Sequence, residues 1–437
     1  MNRLAKRLLV CACALSTARA EEEAFPSIKG IPLGASENIH LSLGGDLRER
    51  YESYNEPSFG LRGIGQDDYL LQRVLLSADL SAGDYFRVFA QLGSHVAMGK
   101  QAPVSPTDVD EFDIQQAYVD FGWPLDPDSK LLLRTGRQEI TFGSGRLVSV
   151  RDGANIRRSF DGARLTYTSG GLKVDAFAAR TVDLENGGLN DATNTDESLW
   201  GLYSVLPVAW LPDGHADFHY LGLDRHDAVF EQGTALEKRH SFGTRLWGNP
   251  GSWDYNYEAV IQCGTFGSAD ILAWTLATDT GYTFASLPWK PRIGLKADIA
   301  SGDPDSNDGR LSTFNALFPK QPYFSEASLI APSNIIDLHP TLEFQITDEI
   351  SFTTDWDFFW KHRSDDAVYS PPGRPLVEAG QSDSHYVGSQ ANVGIEWQVN
   401  PCTSWAVYYS HFFAGPAVTG AGGRDVDFAG SWIEFQF

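Results

Sequence analysis

Residues 39–48 read Ile-His-Leu-Ser-Leu-Gly-Gly-Asp-Leu-Arg. Ile39, Leu41, Leu43, Gly45 and Leu47 alternate with His40, Ser42, Gly44, Asp46 and Arg48. A period of two is the signature of a strand with one apolar face and one polar face. The pattern returns downstream. Trp253, Tyr255, Tyr257, Ala259 and Ile261 alternate with Asp254, Asn256, Glu258, Val260 and Gln262. Phe352, Trp356, Phe358 and Trp360 interleave with Ser351, Thr353, Asp355 and Asp357.

Alternation alone does not separate a soluble sandwich from a membrane barrel, but connection lengths do. Short links such as Ser169-Gly170-Gly171, Asn249-Pro250-Gly251, Thr347-Asp348-Glu349 and Asn400-Pro401-Cys402 alternate with long ones. The long links run 53–67, 182–197, 301–333 and 362–385. This predicts strands near 39–52, 68–80, 86–97, 113–122, 131–142, 159–168, 172–181, 198–207 and 215–224. Nine more follow near 239–248, 253–264, 270–284, 292–301, 334–346, 350–361, 386–399, 403–413 and 425–437. Eighteen strands, within a range of sixteen to twenty, predict an all-β, transmembrane, antiparallel up-and-down barrel with both termini at its short-turn end. No stretch of about 18 apolar residues offers a membrane-spanning helix.

The two ends of the chain agree with that reading. Arg3, Lys6 and Arg7, the apolar run Leu8 to Leu15 and Ala18-Arg19-Ala20 make residues 1–20 an expected signal peptide. Residues 21–38 are then a short periplasmic segment and 39–437 a single barrel. At the other end Ser431, Ile433, Phe435 and Phe437 share one face. Such an amphipathic strand closing on an aromatic resembles the signal read by the outer-membrane insertion machinery. Trp123, Trp210, Trp247, Trp253, Trp289, Trp397 and Trp405 sit beside short turns, where an interfacial girdle belongs. Outer-membrane lipid and lipopolysaccharide are the expected surroundings, with the barrel a monomer in a Gram-negative cell.

Charge narrows the partners further. Four of the 34 Lys and Arg residues lie in the leader, leaving 30 against 57 Asp and Glu, a net charge of −27. That balance excludes nucleic acid. Charge on a strand belongs in the lumen, because Arg or Lys facing lipid at mid-depth costs about 2–4 kcal/mol. Asp46, Arg48 and Arg50 share the polar face of the first strand. Arg73, Arg87, Lys173, Asp175, Arg245, Arg292, Lys296, Asp298, Asp355 and Asp357 are similar lumen candidates.

One segment stands above this background. Arg134, Arg137, Arg146, Arg151, Arg157, Arg158 and Arg164 place seven arginines in 31 residues. The intervening GSGRLVSVRDGANIRRSF (143–160) is too apolar for an exposed loop and is expected to fold inward as a constriction. A planar guanidinium grips carboxylates with two parallel hydrogen bonds, so these residues suit a path for anions. The alternative is a ladder ion-paired with Asp46, Glu139, Asp152 and Asp161 that stiffens the wall.

Other signals carry less. Asp303-Pro304-Asp305-Ser306-Asn307-Asp308-Gly309 alternates oxygen donors, but an EF-hand needs Gly and Glu where Asp308 and Phe314 stand, so a polar turn is expected and no metal is assigned. Cys263 and Cys402 read as isolated residues rather than a disulfide framework or metal site. His40, His219, His240, His339 and His411 are scattered, and no nucleophile elbow, HExxH, P-loop or dinucleotide motif occurs. No enzyme activity and no cofactor is expected.

GGDLRERYE (44–52), DDYLLQRVLL (67–76), LRTGRQEITFGSGRL (133–147) and RRSFDGARL (157–165) resemble the alginate-export family. So do PYFSEASLIAPSNIIDLHPTL (322–342), TTDWDFFW (353–360), YVGSQ (386–390) and the closing SHFFAG and RDVDF, over roughly 39–437. The resemblance implies a monomeric 18-stranded outer-membrane barrel and, for the exporter itself, an arginine-lined constriction passing a polyuronate. The GRQ element maps onto Gly136, Arg137 and Gln138, with Arg134 beside it. FGSGRLVSVRDGANIRRSFDGA (142–163) is similar to the broader family rather than to the dedicated exporter. The expected function is therefore a porin for anionic solutes, with alginate or another acidic oligosaccharide as cargo. The alternatives are a small-nutrient porin with structural arginines and a surface-binding protein working through its 301–333 and 362–385 loops.

Overall fold

The computed structural model describes residues 28–34, 38–371 and 373–437. The expected leader and most of the 21–38 segment lie outside the described residues. Of that segment, Ile31–Pro32 pairs with Leu41 and His40.

Eighteen long strands form one closed antiparallel wall. They are β1 (Ile39–Asn55), β2 (Gln66–Ala82), β3 (Phe86–Met98), β4 (Asp110–Asp126), β5 (Ser129–Gln138) and β6 (Phe160–Ser169). Next come β7 (Leu172–Asp183), β8 (Ala192–Pro207), β9 (Gly214–Phe230), β10 (Gly233–Gly248), β11 (Trp253–Phe266) and β12 (Ala269–Thr283). The last six are β13 (Arg292–Ala300), β14 (Ile335–Gln345), β15 (Ile350–Lys361), β16 (Tyr386–Asn400), β17 (Thr403–Ala414) and β18 (Val426–Gln436). Each pairs with its neighbours in sequence, and β1 closes the ring on β18 from Asp46↔Gln436 to Asn55↔Asp427. All eighteen predicted strands are present. The main misjudgement is length: β8 and β10 each start six residues earlier than expected, because polar residues near the rim of a barrel hide strand ends.

The faces are inverted relative to a soluble protein. On β1, Leu43, Leu47 and Tyr51 are exposed to the outside at 39–47%, whereas Arg48 and Arg50 are 3% exposed and point inward. Leu76, Phe121, Leu202, Phe242, Ile261, Leu276, Ile293 and Ile433 continue the exposed apolar belt. That is the arrangement a bilayer requires: apolar side chains toward lipid, charged ones toward a wet lumen. Six of the seven girdle tryptophans are exposed beside short turns. Trp247 is the exception. It shares a face with Arg245, donates its indole N–H to Asp217 at 2.8 Å and lies under the Arg245 guanidinium, so it belongs to the lumen.

The ladder is closed at the short-turn end by tight hairpins. Gly170 and Gly171 between β6 and β7 both have positive φ (52° and 89°), the backbone that a two-residue hairpin demands and that L side chains resist. At the seam, Gly45 and Phe437 exchange backbone hydrogen bonds of 3.0 Å in both directions. A Cβ on Gly45 would lie 2.4 Å from Cζ of the Phe437 ring, so glycine there makes room for the chain's last side chain.

Loop lengths do not alternate everywhere. At the long-loop end, β9–β10 and β11–β12 turn in two residues. Their tops are covered by the long loops: Arg310–Leu311 pairs with Asp270 and Ile271, and the Tyr369 ring lies 6.3 Å from that of Phe230. Cys263 and Cys402 are both free thiols.

The main apolar core is inside the barrel, built by two loops folded back against the upper wall. From the 139–159 loop come Ile140, Phe142, Leu147 and Val148, and from the 301–334 loop Phe314, Leu317, Phe318, Leu329 and Ile330. Val148 and Phe318 join the two loops by a parallel bridge, and their rings and methyls pack on Phe160, Phe177 and Tyr203 of the wall. Each fully buried side chain of this size is worth about 1.5–3 kcal/mol, so the plug is held as firmly as an ordinary core. The 301–334 segment, read from sequence as an external link, is therefore internal over Phe314 to Ile330, while its 304–310 stretch stays largely exposed.

Candidate functional site

The inward loop 139–159 is anchored to the wall through polar contacts. Arg48 donates to the carbonyls of Asp152 and Ala154, both at 2.8 Å. Arg73, 1% exposed, reaches Asp46 (3.3 Å), Asp152 (3.1 Å) and Glu434 (2.8 Å). Asn155 donates to the carbonyls of Gln72, Val96 and Asp108. The second loop is tied by Arg50 to Glu326 (3.0 Å), while Arg50 also pairs with Glu52 (2.5 Å) and stacks 4.1 Å over Trp432.

The seven clustered arginines divide by partner. Arg134 holds Asp120 in a two-point grip, 2.8 Å at each bond, with Tyr118 under its guanidinium. Arg164, directly across from Arg134 in register, leans on Asp175 at 3.7 Å. Arg146 meets Glu258 at 3.3 Å, and Arg157 meets Glu139 at 2.6 Å and Asp152 at 3.5 Å. Arg137 leaves the lumen altogether. It is three residues from Arg134, and an odd step along a strand changes face, so it follows Leu133 and Thr135 outward and binds Asp161 (2.9 Å) at the loop end of the wall. Gln138 is fully buried, donating to the carbonyls of Gly136 and Gly162, and is not on an open path.

Arg151 and Arg158 differ from the rest. Arg158 donates to the carbonyls of Ser149 and Pro319, and Arg151 to that of Ile156. Among the described residues neither has a carboxylate within 4 Å. Lys320, on the facing loop and equally without an ion pair, was missed from sequence. The signal was there: Phe314, Leu317, Phe318, Tyr323, Phe324, Leu329 and Ile330 make that loop as apolar as the one that was noticed.

These three cations line a cavity of about 980 Å³ between the two inward loops and the upper wall. Of its other basic side chains, Arg50, Lys100, Arg157 and Arg225 are each held by a carboxylate, Glu326, Asp108, Glu139 and Glu197 respectively, whereas Arg62 and Arg374 are exposed and have no ion pair among the described residues. Desolvation by the surrounding protein, reinforced by Arg146 and Lys296, pushes the Lys320 ammonium down to about 8. The same burial lowers the Arg158 guanidinium, with Arg151 adding to it. Crowded like charges without counterions are costly, and an entering anion relieves that cost.

Below this level the lumen wall is a lattice of matched charges. Arg87 pairs with Asp79 (2.7 Å), Arg245 with Asp217 (2.7 Å), and Arg292 with Asp254, Asp279 and Glu343. Lys173 lies 3.5 Å from Asp175, and the His339 ring sits between Asp355 (2.8 Å) and Asp357 (3.1 Å). Lys296 stands beside Asp279 and His339 in register, and Asp298 accepts from Tyr323 at 3.1 Å. The 303–309 stretch is a run of side-chain-capped turns, with Asp303, Asp305 and Asp308 accepting from the backbone two residues on.

The fold is that of outer-membrane porins. OccAB1 of Acinetobacter baumannii superposes with a TM-score of 0.60 at 13% identity, covering 91% of this chain and 96% of that one. Pseudomonas aeruginosa OpdO gives 0.59 at 12% identity over 92% and 97% of the two chains. A BenF-like porin from Pseudomonas fluorescens Pf-5 gives 0.58 at 10% identity over 91% and 98%. A search of curated sequences finds no match. Residues 39–431 match the family described as Alginate export. From its first strand to its last, the chain is an outer-membrane β-barrel belonging to the alginate-export family.

Proposed function

We propose that the protein is a channel for anionic solutes, with acidic oligosaccharides such as alginate among its cargoes. Arg151, Arg158 and Lys320 would be the side chains that meet the solute. One observation carries the reading: in a chain of strongly acidic balance, Arg151, Arg158 and Lys320 line the inner cavity without a carboxylate partner, as do the exposed Arg62 and Arg374, while Arg50, Lys100, Arg157 and Arg225 are neutralised. A carboxylate arriving from solution is the missing partner. The protein would work as a monomer in the outer membrane, with Ser431, Ile433, Phe435 and Phe437 read by the insertion machinery.

The test is reversal potential in planar bilayers under a salt gradient. Anion preference in the wild type, lost in an Arg151→Ala/Arg158→Ala/Lys320→Ala variant, supports the proposal. Cation preference unchanged by the triple substitution would sink it. The small-nutrient alternative draws support from Arg134, Arg146, Arg157 and Arg164, whose ion pairs fit bracing. Block of the current by oligouronates, set against simple sugars, separates the two. The surface-binding alternative would rest on the exposed 304–310 stretch of the first loop and on 362–385, since Phe314 to Ile330 pack inside the barrel.

A further inference from the structure

Where the 139–159 loop turns inward, the wall is left with a gap. β5 stops at Gln138, and the uppermost pair between β4 and β5 is Ala117↔Arg137, so residues 110–114 of β4 have no β5 partner. An open strand edge is a liability that proteins cover. Here the 184–191 loop covers it: Phe112 N–H donates to the Gly187 carbonyl (3.0 Å), and Leu189 N–H donates to the Phe112 carbonyl (2.9 Å).

Laying the loop there brings Asp191 against Asp110 and Asp113, with one oxygen of each within 4.8 Å of the others. Asp113 and Asp191 are engaged by hydrogen bonds, and the Asp110 carboxyl is approached by the Gly187 and Phe112 N–H groups. Asp113 accepts from the Asn190 and Asp191 N–H groups, and Asp191 accepts from that of Glu185. Asp110 is 2% exposed, and its Oδ1 is shut off from solvent with no hydrogen-bond partner. The neighbouring cation, Arg137, lies 3.8 Å from Asp113 but has its Nε and Nη2 on Asp161. One shared guanidinium does not neutralise three further carboxylates.

We propose that Asp110, Asp113 and Asp191 bind a calcium ion that fastens the 184–191 loop over this gap. The donors are oxygen only, which selects a hard cation rather than zinc or copper. Three oxygens lying within 4.8 Å of one another can share one ion, and calcium takes about six to eight oxygen ligands in flexible geometry where magnesium demands a near-ideal octahedron. Asp191 is only half-buried, leaving a side open for the waters that complete a calcium shell. The other cluster of this kind, Asp337, His339 and Asp357, carries its own counter-charge when the His339 ring is protonated between Asp355 and Asp357.

The experiment uses full-length barrel in detergent, stripped with EDTA, and CaCl2 as the probe. Binding is read by calorimetry, and loop fastening by amide hydrogen exchange of residues 184–191. The expected result is a saturable site of about 0.1–1 mM affinity, in the range of extracellular modules, with slower exchange of the loop on addition of CaCl2. Both effects should vanish in Asp110→Asn and in Asp191→Asn and persist in Asp303→Asn. Wild-type loop exchange indifferent to CaCl2, or either folded aspartate variant binding calcium as the wild type does, overturns the site. Gel mobility of the unheated barrel reports folding. Should Asp110→Asn fail that check, Asp191→Asn decides alone.

Discussion

The guanidinium of Arg158 lies 5.2 Å from the centre of the Phe318 ring, joining the two inward loops by a cation–π contact instead of an ion pair. Arg225 approaches the same ring at 5.6 Å, but Arg225 is neutralised by Glu197. Phe318 therefore supports one compensated and one uncompensated cation. The ring positions Arg158 without supplying a full negative charge, so its donors remain attractive to an incoming carboxylate.

That difference predicts a split among single substitutions. At 4 Å in water a unit charge is worth about 1 kcal/mol, roughly a fivefold change in local anion occupancy. Arg158→Ala and Arg151→Ala should each lower the anion-to-cation permeability ratio by about that factor. Arg134→Ala, whose charge is already cancelled by Asp120, should leave the ratio unchanged. Equal effects from Arg134 and Arg158 would show that pairing does not decide which arginines the solute feels.

Arg134 should instead matter for stability. Removing it leaves Asp120, 4% exposed, with only the distant Arg87 guanidinium at 3.9 Å. Breaking such a pair from one side costs about 3–5 kcal/mol, while replacing both partners with apolar residues of similar volume is close to neutral. Urea unfolding of the barrel in lipid vesicles should show a large loss for Arg134→Ala and recovery in Arg134→Met/Asp120→Leu. A double variant as weak as the single one would mean that packing, not charge, holds this patch.

How much of this was legible in the sequence follows from parity. Alternation depends on the strand alone, so Leu47 against Arg48 and Ile433 against Glu434 announced the wall, and β18 could be traced to its last residue. Connection lengths reported on topology, and the apolar content of 143–160 reported on burial. Arg137 departs from the expected lumen position because its three-residue step from Arg134 changes face, and the motif the two share carries no parity. The apolar content of 314–330 marks the Lys320 loop as inward, but the environment of Lys320 itself is remote in sequence: Gly145 receives its backbone N–H, and Arg146 and Lys296 lower its charge. No local pattern records which arginine will find a carboxylate, since Glu139, Asp120 and Glu258 reach theirs across strands and loops.

Lys320 gives the channel a pH dependence. Although the residue is exposed to the cavity, desolvation and repulsion by Arg146 and Lys296 push its ammonium down to about 8, below the usual lysine range. A lowered value means that charge is present below pH 8 and lost as pH rises through it. Anion selectivity measured between pH 7 and pH 9 should therefore fall, about one unit charge being lost near the cavity. Lys320→Arg, which stays charged over this range, should remove the fall. A wild-type profile that matches Lys320→Arg would place the titrating group elsewhere.

The inward loop itself should be releasable at Asn155. Its side-chain amide, 1% exposed, donates to Gln72, Val96 and Asp108 carbonyls at 3.0, 3.3 and 2.8 Å. Each net hydrogen bond is worth about 0.5–1.5 kcal/mol, so the amide's two protons, shared among three carbonyls, compete with the apolar packing of Val148 and Ile156 that holds the same loop. Asn155→Ala leaves three carbonyls without this donor in the space the loop must occupy. Single-channel conductance should rise and become noisier as the loop leaves the lumen for part of the time. Arg48→Ala, which removes the grip on Asp152 and Ala154, should act in the same direction. Conductance unchanged in both variants would show that the plug is held by its apolar contacts with Phe160 and Phe318, and that the polar anchors serve only its alignment.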